Sequence, residues 1–538
     1  MSAPNTTPTN PLVTALLTDL YQITMTYAHW RIGKHEEPAV FELFFRKNPF
    51  QGAFTIFCGL DECLKYIQSF SFSDEDIEYL KSTPALCNCE DGYFEYLRTL
   101  STTQTPTFQV RALKEGTIVF PKIPMVIIEA PLGLGQLLET TLLNLVNFPS
   151  LVATNAARMV LAAKPFPCIE FGLRRAQGPD GACTASKYAY AAGFSATSNV
   201  HAGKLFGIPI SGTHAHAYVQ AFSSLDDVQD LQLLNKKTQA TEAFLPKVLG
   251  YRKDGTNDGE LAAFVAYACA FPDTCLCLVD TYDTLQSGLP NFIATAKALD
   301  DFGYQPKGIR LDSGDLSALS LKCKSVFEEV EGSTSRQVFG NLTIVASNDI
   351  NEETLYQLAE RGHGITAFGI GTNLVTCQAQ PALGCVYKLV EWKGEPRIKL
   401  SNDLPKITIP SRKNVYRLFG KEGTPLVDYM AMQDESPPKP GDRITCRHPF
   451  KSQKRLICTP TSVVTLHSVV FDNGAKAALA ESSNLSETRS YVQTELDKFP
   501  DAIKRYEDPE EYPMMVSITL YKFLHDLWER NAPIKEVA

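Results

Sequence analysis

Between Pro167 and Leu389 the chain repeats one pattern: a short apolar or β-branched run stops abruptly at polar and glycine residues, and a longer helix-compatible segment follows. Seven such runs are present: Cys168 to Phe171, Ile208 to Ile210, Leu276 to Val279, Gly308 to Leu311, Leu342 to Ala346, Thr366 to Ile370 and Val386 to Val390. Runs that are apolar throughout and widely separated imply parallel strands buried on both faces and joined by helices. The pattern therefore predicts an α/β fold built on a seven-stranded (β/α) barrel, irregular because the regular form has eight strands.

Barrel enzymes build their sites from the loops at the C-terminal ends of the strands. Here those ends carry Arg174 and Arg175; Thr213, His214 and His216; Asp280; Asp312, Ser313 and Asp315; Ser347, Asn348 and Asp349; and Gly369, Gly371 and Thr372. Ser, Asp, Asn and Gly also cap helices and end strands anywhere, but turn chemistry does not require polar groups at six of seven ends. The densest stretch is E-F-G-L-R-R-A-Q-G-P-D-G, from Glu170 to Gly181. Adjacent arginines offer planar forks that match phosphate or carboxylate, and Gly172, Gly178 and Gly181 would let backbone approach a ligand.

A net charge of −9 and a pI near 5.6 argue against nucleic acid or an acidic membrane surface as partner, so anion binding must be local and the anion small. The fourteen cysteines follow no C-x-x-C framework, and neither Cys87/Cys89 nor Cys275/Cys277 has the second pair a closed zinc site needs. The opening residues lack the charged start and apolar core of a signal peptide, and the longest apolar stretch, Leu261 to Phe271, is too short to cross a bilayer. A cytosolic, thiol-bearing protein is expected.

Three regions are expected: an N-terminal α+β domain over 1–147, the barrel over 148–391, and a β-rich and helical region over 392–538 packed on the N-terminal domain. Leu17 to Ile32 has helical periodicity with Asp19 in its first turn and Gly33 after its end, and Ala39 to Phe45 alternates like a strand. Phe108 to Glu129 reads as short strands, Leu132 to Val146 and Tyr512 to Arg530 as helices.

Arginine forks, glycines and acidic residues at one barrel mouth suit a phosphorylated sugar, the carboxylates holding hydroxyls or Mg²⁺. Displacement at an anomeric carbon passes through an oxocarbenium-like state, which needs basic and acidic groups together. His216 could act as base, nucleophile or ligand, or could be hydrogen-bonded packing. His214 and His216 could share a metal in an extended segment, but no third ligand clusters with them.

The order and spacing of several motifs resemble those of the nicotinate phosphoribosyltransferases. They are T-D-L-Y-Q at Thr18 to Gln22, F-E-L-F-F-R at Phe41 to Arg46, S-L-V-A-T-N-A-A-R at Ser150 to Arg158, the arginine stretch, G-T-H-A-H at Gly212 to His216, R-L-D-S-G-D at Arg310 to Asp315, and G-I-G-T at Gly369 to Thr372. The resemblance runs from about Leu17 to Trp528. It implies formation of nicotinate mononucleotide and pyrophosphate from nicotinate and phosphoribosyl pyrophosphate, coupled to ATP hydrolysis with Mg²⁺ or Mn²⁺, as the entry into NAD synthesis. It implies that His216 is the histidine phosphorylated by ATP, and it gives no role to His214. It places nicotinate between Tyr21 of a partner subunit and Leu173, held by Thr213 and Arg310, in a homodimer with sites at the interface. Asp280 falls to the ribose or reacting ring, and Arg174, Asp312, Gly371 and Thr372 to phosphoribosyl pyrophosphate and its phosphates. Direct metal ligands stay unassigned.

One departure stands out. The family often reads P-G-x-K where this chain has Pro410, Ser411, Arg412 and Lys413, and serine would be slightly strained in a turn needing positive φ. A nicotinamide-specific phosphoribosyltransferase would share the barrel. A sugar-phosphate lyase or aldolase would want a Schiff-base lysine at a strand end, where Lys187 and Lys307 do not fall. A binding protein that had lost activity would lack His216, Arg310 or Thr372, and all are present.

Overall fold

The computed structural model describes residues 7–334, 336–401, 403–472, 474–476 and 484–532. They form two compact units, residues 156–378 and residues 1–155 with 379–538. Among the described residues no helix is long and apolar enough to cross a membrane.

The unit 156–378 is organised by a parallel sheet of β1 (Cys168–Glu170), β2 (Ala196–Thr197), β3 (Leu276–Leu278), β4 (Gly308–Leu311), β5 (Thr343–Ala346) and β6 (Ala367–Ile370). Neighbours run β3-β4-β5-β6-β1-β2, every pair parallel. Parallel pairing requires long crossovers, and here each carries a helix. They are Gly178–Ala191 after β1, Asp258–Ala270 before β3, Leu289–Asp301 before β4, Leu316–Thr334 before β5 and Glu352–Arg361 before β6. Leu278, Ile309, Leu311, Ile344 and Ile370 are buried, as strands covered on both faces require.

Five of the seven apolar runs fold as parallel strands, and the other two correct the expectation of a seven-stranded ring. Ile208 to Ile210 contributes one isolated bridge, Ile210 to Thr197, because Gly207 is left-handed and Pro209 has no N–H to give a ladder. Val386 to Val390 lies within Cys385–Trp392, which pairs antiparallel with Pro38–Phe45 in the other unit. The parallel core therefore ends before residue 379, not at 391. The two-residue β2 went unread because so short a strand carries no periodicity.

The other unit holds an antiparallel seven-stranded sheet in the order Glu395–Pro396, Cys385–Trp392, Pro38–Phe45, Val126–Pro131, Gln109–Leu113, His467–Asp472 and Ala475–Lys476. A six-stranded sheet runs Arg455–Cys458, Ile444–Arg447, Met514–Val516, Pro425–Met432, Lys413–Phe419 and Ser462–Thr465. The N-terminal helix is Leu20–Arg31, with the Asp19 N–H donating to Gln22 Oε1 at 3.3 Å. Leu132 opens a short helix, Leu132–Leu137, before the long Glu139–Ala163, and the C-terminal segment is a strand followed by helix Ile518–Asn531. Ser411 does adopt positive φ, at 67°. The turn is held because buried Lys413 donates to the carbonyls of Ile409 (2.8 Å) and Ser411 (2.6 Å) and pairs with Glu42 at 2.8 Å.

Candidate active site

The C-terminal ends of the parallel strands surround a cavity of about 900 Å³ whose lining includes Arg174, Thr213, Arg310, Asp312, Gly371 and Thr372. Arg310 lies on β4, where the backbone sets it opposite Leu278. Its Nη1 donates to Thr213 Oγ1 at 3.1 Å, while its buried Nε has no hydrogen-bond partner. Burial lowers its pKa and nearby Arg174 pushes the same way, against the attraction of Asp312 and Asp280. A guanidinium with an unused donor in a cavity suits a carboxylate.

Beside it, Asp280 follows β3 and its side chain is only 2% exposed. Its Oδ2 accepts from the Asp312 N–H at 3.0 Å and from the Ser313 hydroxyl, while Oδ1 is buried without a hydrogen bond. His216 begins the short helix His216–Gln220. Its Nδ1 meets Thr281 Oγ1 at 3.1 Å, and its Nε2 lies 3.9 Å from Asp280 Oδ1 and 3.8 Å from Asp312 Oδ2. The ring is 39% exposed. Ser347, after β5, donates to Asp312 Oδ1 at 2.6 Å, so residues at three strand ends share one network.

Arg174 and Arg175 occupy the single 3₁₀ turn Leu173–Arg175 that leads to helix Gly178–Ala191, and no salt bridge to either is found among the described residues. The turn is positioned by buried Glu170, whose carboxylate accepts from the Gly172 N–H, from Thr197 Oγ1 and from Ser186 Oγ at 2.8 Å. Gly172 serves packing, because a Cβ there would lie 2.3 Å from Val375 Cγ1, whereas Gly178 supplies the left-handed turn at φ 74°. Gly371 caps the short helix Thr372–Val375.

The structure thus brings together Arg174, Thr213, His216, Asp280, Arg310, Asp312, Gly371 and Thr372 in one unit. Leu173 is exposed beside Arg174, and Tyr21 is a half-exposed residue of the N-terminal helix. Motif Ser150 to Arg158 is spent on structure: the Cys58 N–H donates to Ser150 Oγ at 3.0 Å, the Ile56 N–H to Thr154 Oγ1 at 2.9 Å, and Arg158 Nε pairs with Glu352 at 2.8 Å. Sequence reasoning missed Thr281, adjacent to Asp280, and Glu260, a helix carboxylate that accepts from Ser287 Oγ at 2.5 Å and Asn291 Nδ2 at 3.1 Å. Burial raises the Glu260 pKa to about 6, with a smaller push from Asp280. Nothing in local sequence marks a buried carboxylate inside an otherwise apolar helix.

Fold and site define an α/β protein whose parallel strands end at a cavity holding partly unsatisfied cationic and anionic groups. Three family profiles match the chain: the nicotinate phosphoribosyltransferase N-terminal domain over residues 16–147, the nicotinate phosphoribosyltransferase family over 166–433, and its C-terminal domain over 412–524. Nicotinate phosphoribosyltransferase 1 of Arabidopsis thaliana is 49% identical over 545 residues, spanning 98% of this chain and 96% of its own length. The Caenorhabditis elegans enzyme is 48% identical over 542 residues, spanning 98% and 95%. The crystal structure of human nicotinic acid phosphoribosyltransferase aligns at a TM-score of 0.84 and 38% identity, covering 95% of this chain and all of that one. The chain belongs to the nicotinate phosphoribosyltransferase family.

Proposed function

We propose that the chain transfers phosphoribosyl from phosphoribosyl pyrophosphate to nicotinate, giving nicotinate mononucleotide and pyrophosphate, and that ATP drives the cycle through phosphorylation of His216. The observation that carries the substrate is Arg310: a half-buried guanidinium that lines the cavity and is bonded to Thr213, with Nε unsatisfied. A nicotinate carboxylate completes that donor set. Nicotinamide brings no negative charge, so the cation would stay unpaired.

With the carboxylate held by Arg310 and Thr213, the pyridine nitrogen attacks the anomeric carbon as the bond to pyrophosphate breaks. Asp280 supplies negative charge against the oxocarbenium-like ring, and Arg174, Gly371 and Thr372 take the phosphates. The orphaned Oδ1 of Asp280, with Asp312 beside it, offers the hard oxygens that Mg²⁺ accepts when it arrives with phosphates, so no all-protein cage is needed. When bound, the ion would neutralise the departing pyrophosphate. His216 stands beside both carboxylates and is open enough to receive a phosphoryl group from ATP. A second copy of the chain would add Tyr21 against the pyridine ring, opposite Leu173. The six parallel strands are read as the core of an irregular (β/α) barrel, and the enzyme as cytosolic.

The test is product formation from phosphoribosyl pyrophosphate and Mg²⁺ with nicotinate or nicotinamide, each with and without ATP. Nicotinate mononucleotide should dominate and rise with ATP, and His216→Ala should lose the ATP stimulation while keeping a slow ATP-independent reaction. Undiminished stimulation in His216→Ala would remove His216 from the cycle, and product from nicotinamide alone would overturn the substrate.

A further inference from the structure

Going round the parallel core from β3 through β4, β5, β6, β1 and β2 to Ile210, each step is a backbone pairing. Between the Ile210 segment and β3 the described residues show no such pairing. At that seam the Leu278 N–H donates to Nε2 of His214 at 3.3 Å. Leu278 is the residue that β3 sets opposite Arg310.

We propose that His214 is a positioning residue: it closes the strand seam with a side chain and so holds Thr213 against Arg310 and His216 beside Asp280. The inference rests on the functional reading given above. His214 sits between Thr213, which accepts from Arg310, and His216, which meets Thr281. A shift of the 211–215 segment away from β3 would move the carboxylate site and the phosphoryl acceptor together.

The local chemistry suits this role. His214 is 8% exposed, with its ring centroid 4.8 Å from Tyr267, 5.2 Å from Tyr218 and 6.3 Å from Phe264. Because Nε2 accepts, the proton of the neutral ring resides on Nδ1, which is buried and has no hydrogen-bond partner among the described residues. Burial, reinforced by Arg310, pushes the pKa down to about 4, which keeps the Nε2 lone pair available. An aromatic cage alone would favour any flat ring. The amide of Leu278 requires an acceptor.

Two variants separate packing from the bond. His214→Phe keeps the ring and loses the acceptor, whereas His214→Gln loses the ring and keeps an acceptor oxygen. His214→Phe should raise the nicotinate KM about tenfold with a smaller fall in kcat, and His214→Gln should stay within about threefold of the parent. Amide hydrogen exchange across Leu276–Leu278 should quicken in the Phe variant and return towards the parent rate in the Gln variant. If Phe does not fold, Met replaces it as the variant without a comparable acceptor. A Phe variant with parental KM and exchange, or Phe and Gln variants equally impaired, would overturn the inference. Failure of the parent protein to form nicotinate mononucleotide would instead overturn the functional reading, and the exchange rates would still decide whether His214 closes the seam.

Discussion

Two strand arginines, Arg417 and Arg310, show how the same side chain is spent on structure in one unit and lines a candidate site in the other. Arg417 is 2% exposed and complete: Nε and Nη2 grip Asp428 at 2.8 and 2.9 Å, Nη1 reaches Glu495 at 3.2 Å, and Nη2 also donates to the Ile118 carbonyl at 2.7 Å. Burial, the largest single influence, would lower its pKa, but Asp428, Tyr512 and Glu495 together outweigh it and the value is raised. Arg310 is bonded to Thr213, burial wins, and its pKa falls. A half-buried cation with a donor that its own fold leaves unused can give that donor to a ligand. Arg158 is intermediate between them: two of its nitrogens lack hydrogen-bond partners, yet Glu352 answers its charge at 2.8 Å.

The contrast is broken most severely by truncating each arginine. Arg417→Ala should destabilise the protein by about 3–5 kcal/mol in urea denaturation, because Asp428 and Glu495 are left buried without their cation. Arg310→Met should change stability by less than about 1 kcal/mol, its loss falling on ligand binding. Equal losses from the two would erase the distinction.

A pair of carboxylates sharpens the same point at smaller scale. Glu42 is answered by Lys413 at 2.8 Å, whereas Glu260 has only neutral hydrogen-bond donors. Since burial raises the folded pKa of Glu260 to about 6 from an ordinary 4.5, the folded protein favours the protonated form. The stability this group contributes is present below pH 4.5 and lost as pH rises through 6. Glu260→Gln should therefore stabilise the protein by about 2 kcal/mol above pH 6 and by almost nothing below pH 4.5. A gain independent of pH would place the effect elsewhere.

The placement of the candidate site was largely legible in the sequence because strand ends carry chemistry in the linear order of the chain. Gly308 to Leu311 was read to the residue, and the polar residues after it fall where the runs stop. What escaped was set by partners distant in sequence. Val386 to Val390 is a strand, but which sheet receives it depends on Pro38–Phe45, more than three hundred residues earlier. Pro209 restricts its run to a single bridge, a limit visible in the sequence but overridden by the count of apolar runs. The partnering of His214 depends on the Leu278 amide, 64 residues away, which no local motif can announce.

Arg310 keeps an unpartnered Nε at the cavity, and the proposed function has it take the nicotinate carboxylate. The most direct test of that role is the ratio of kcat/KM for nicotinate over nicotinamide, measured for the parent protein and for Arg310→Gln. A preference of about a hundredfold or more is expected in the parent, falling to within about tenfold in the variant, chiefly through the nicotinate KM. A preference that survives the substitution unchanged would contradict it.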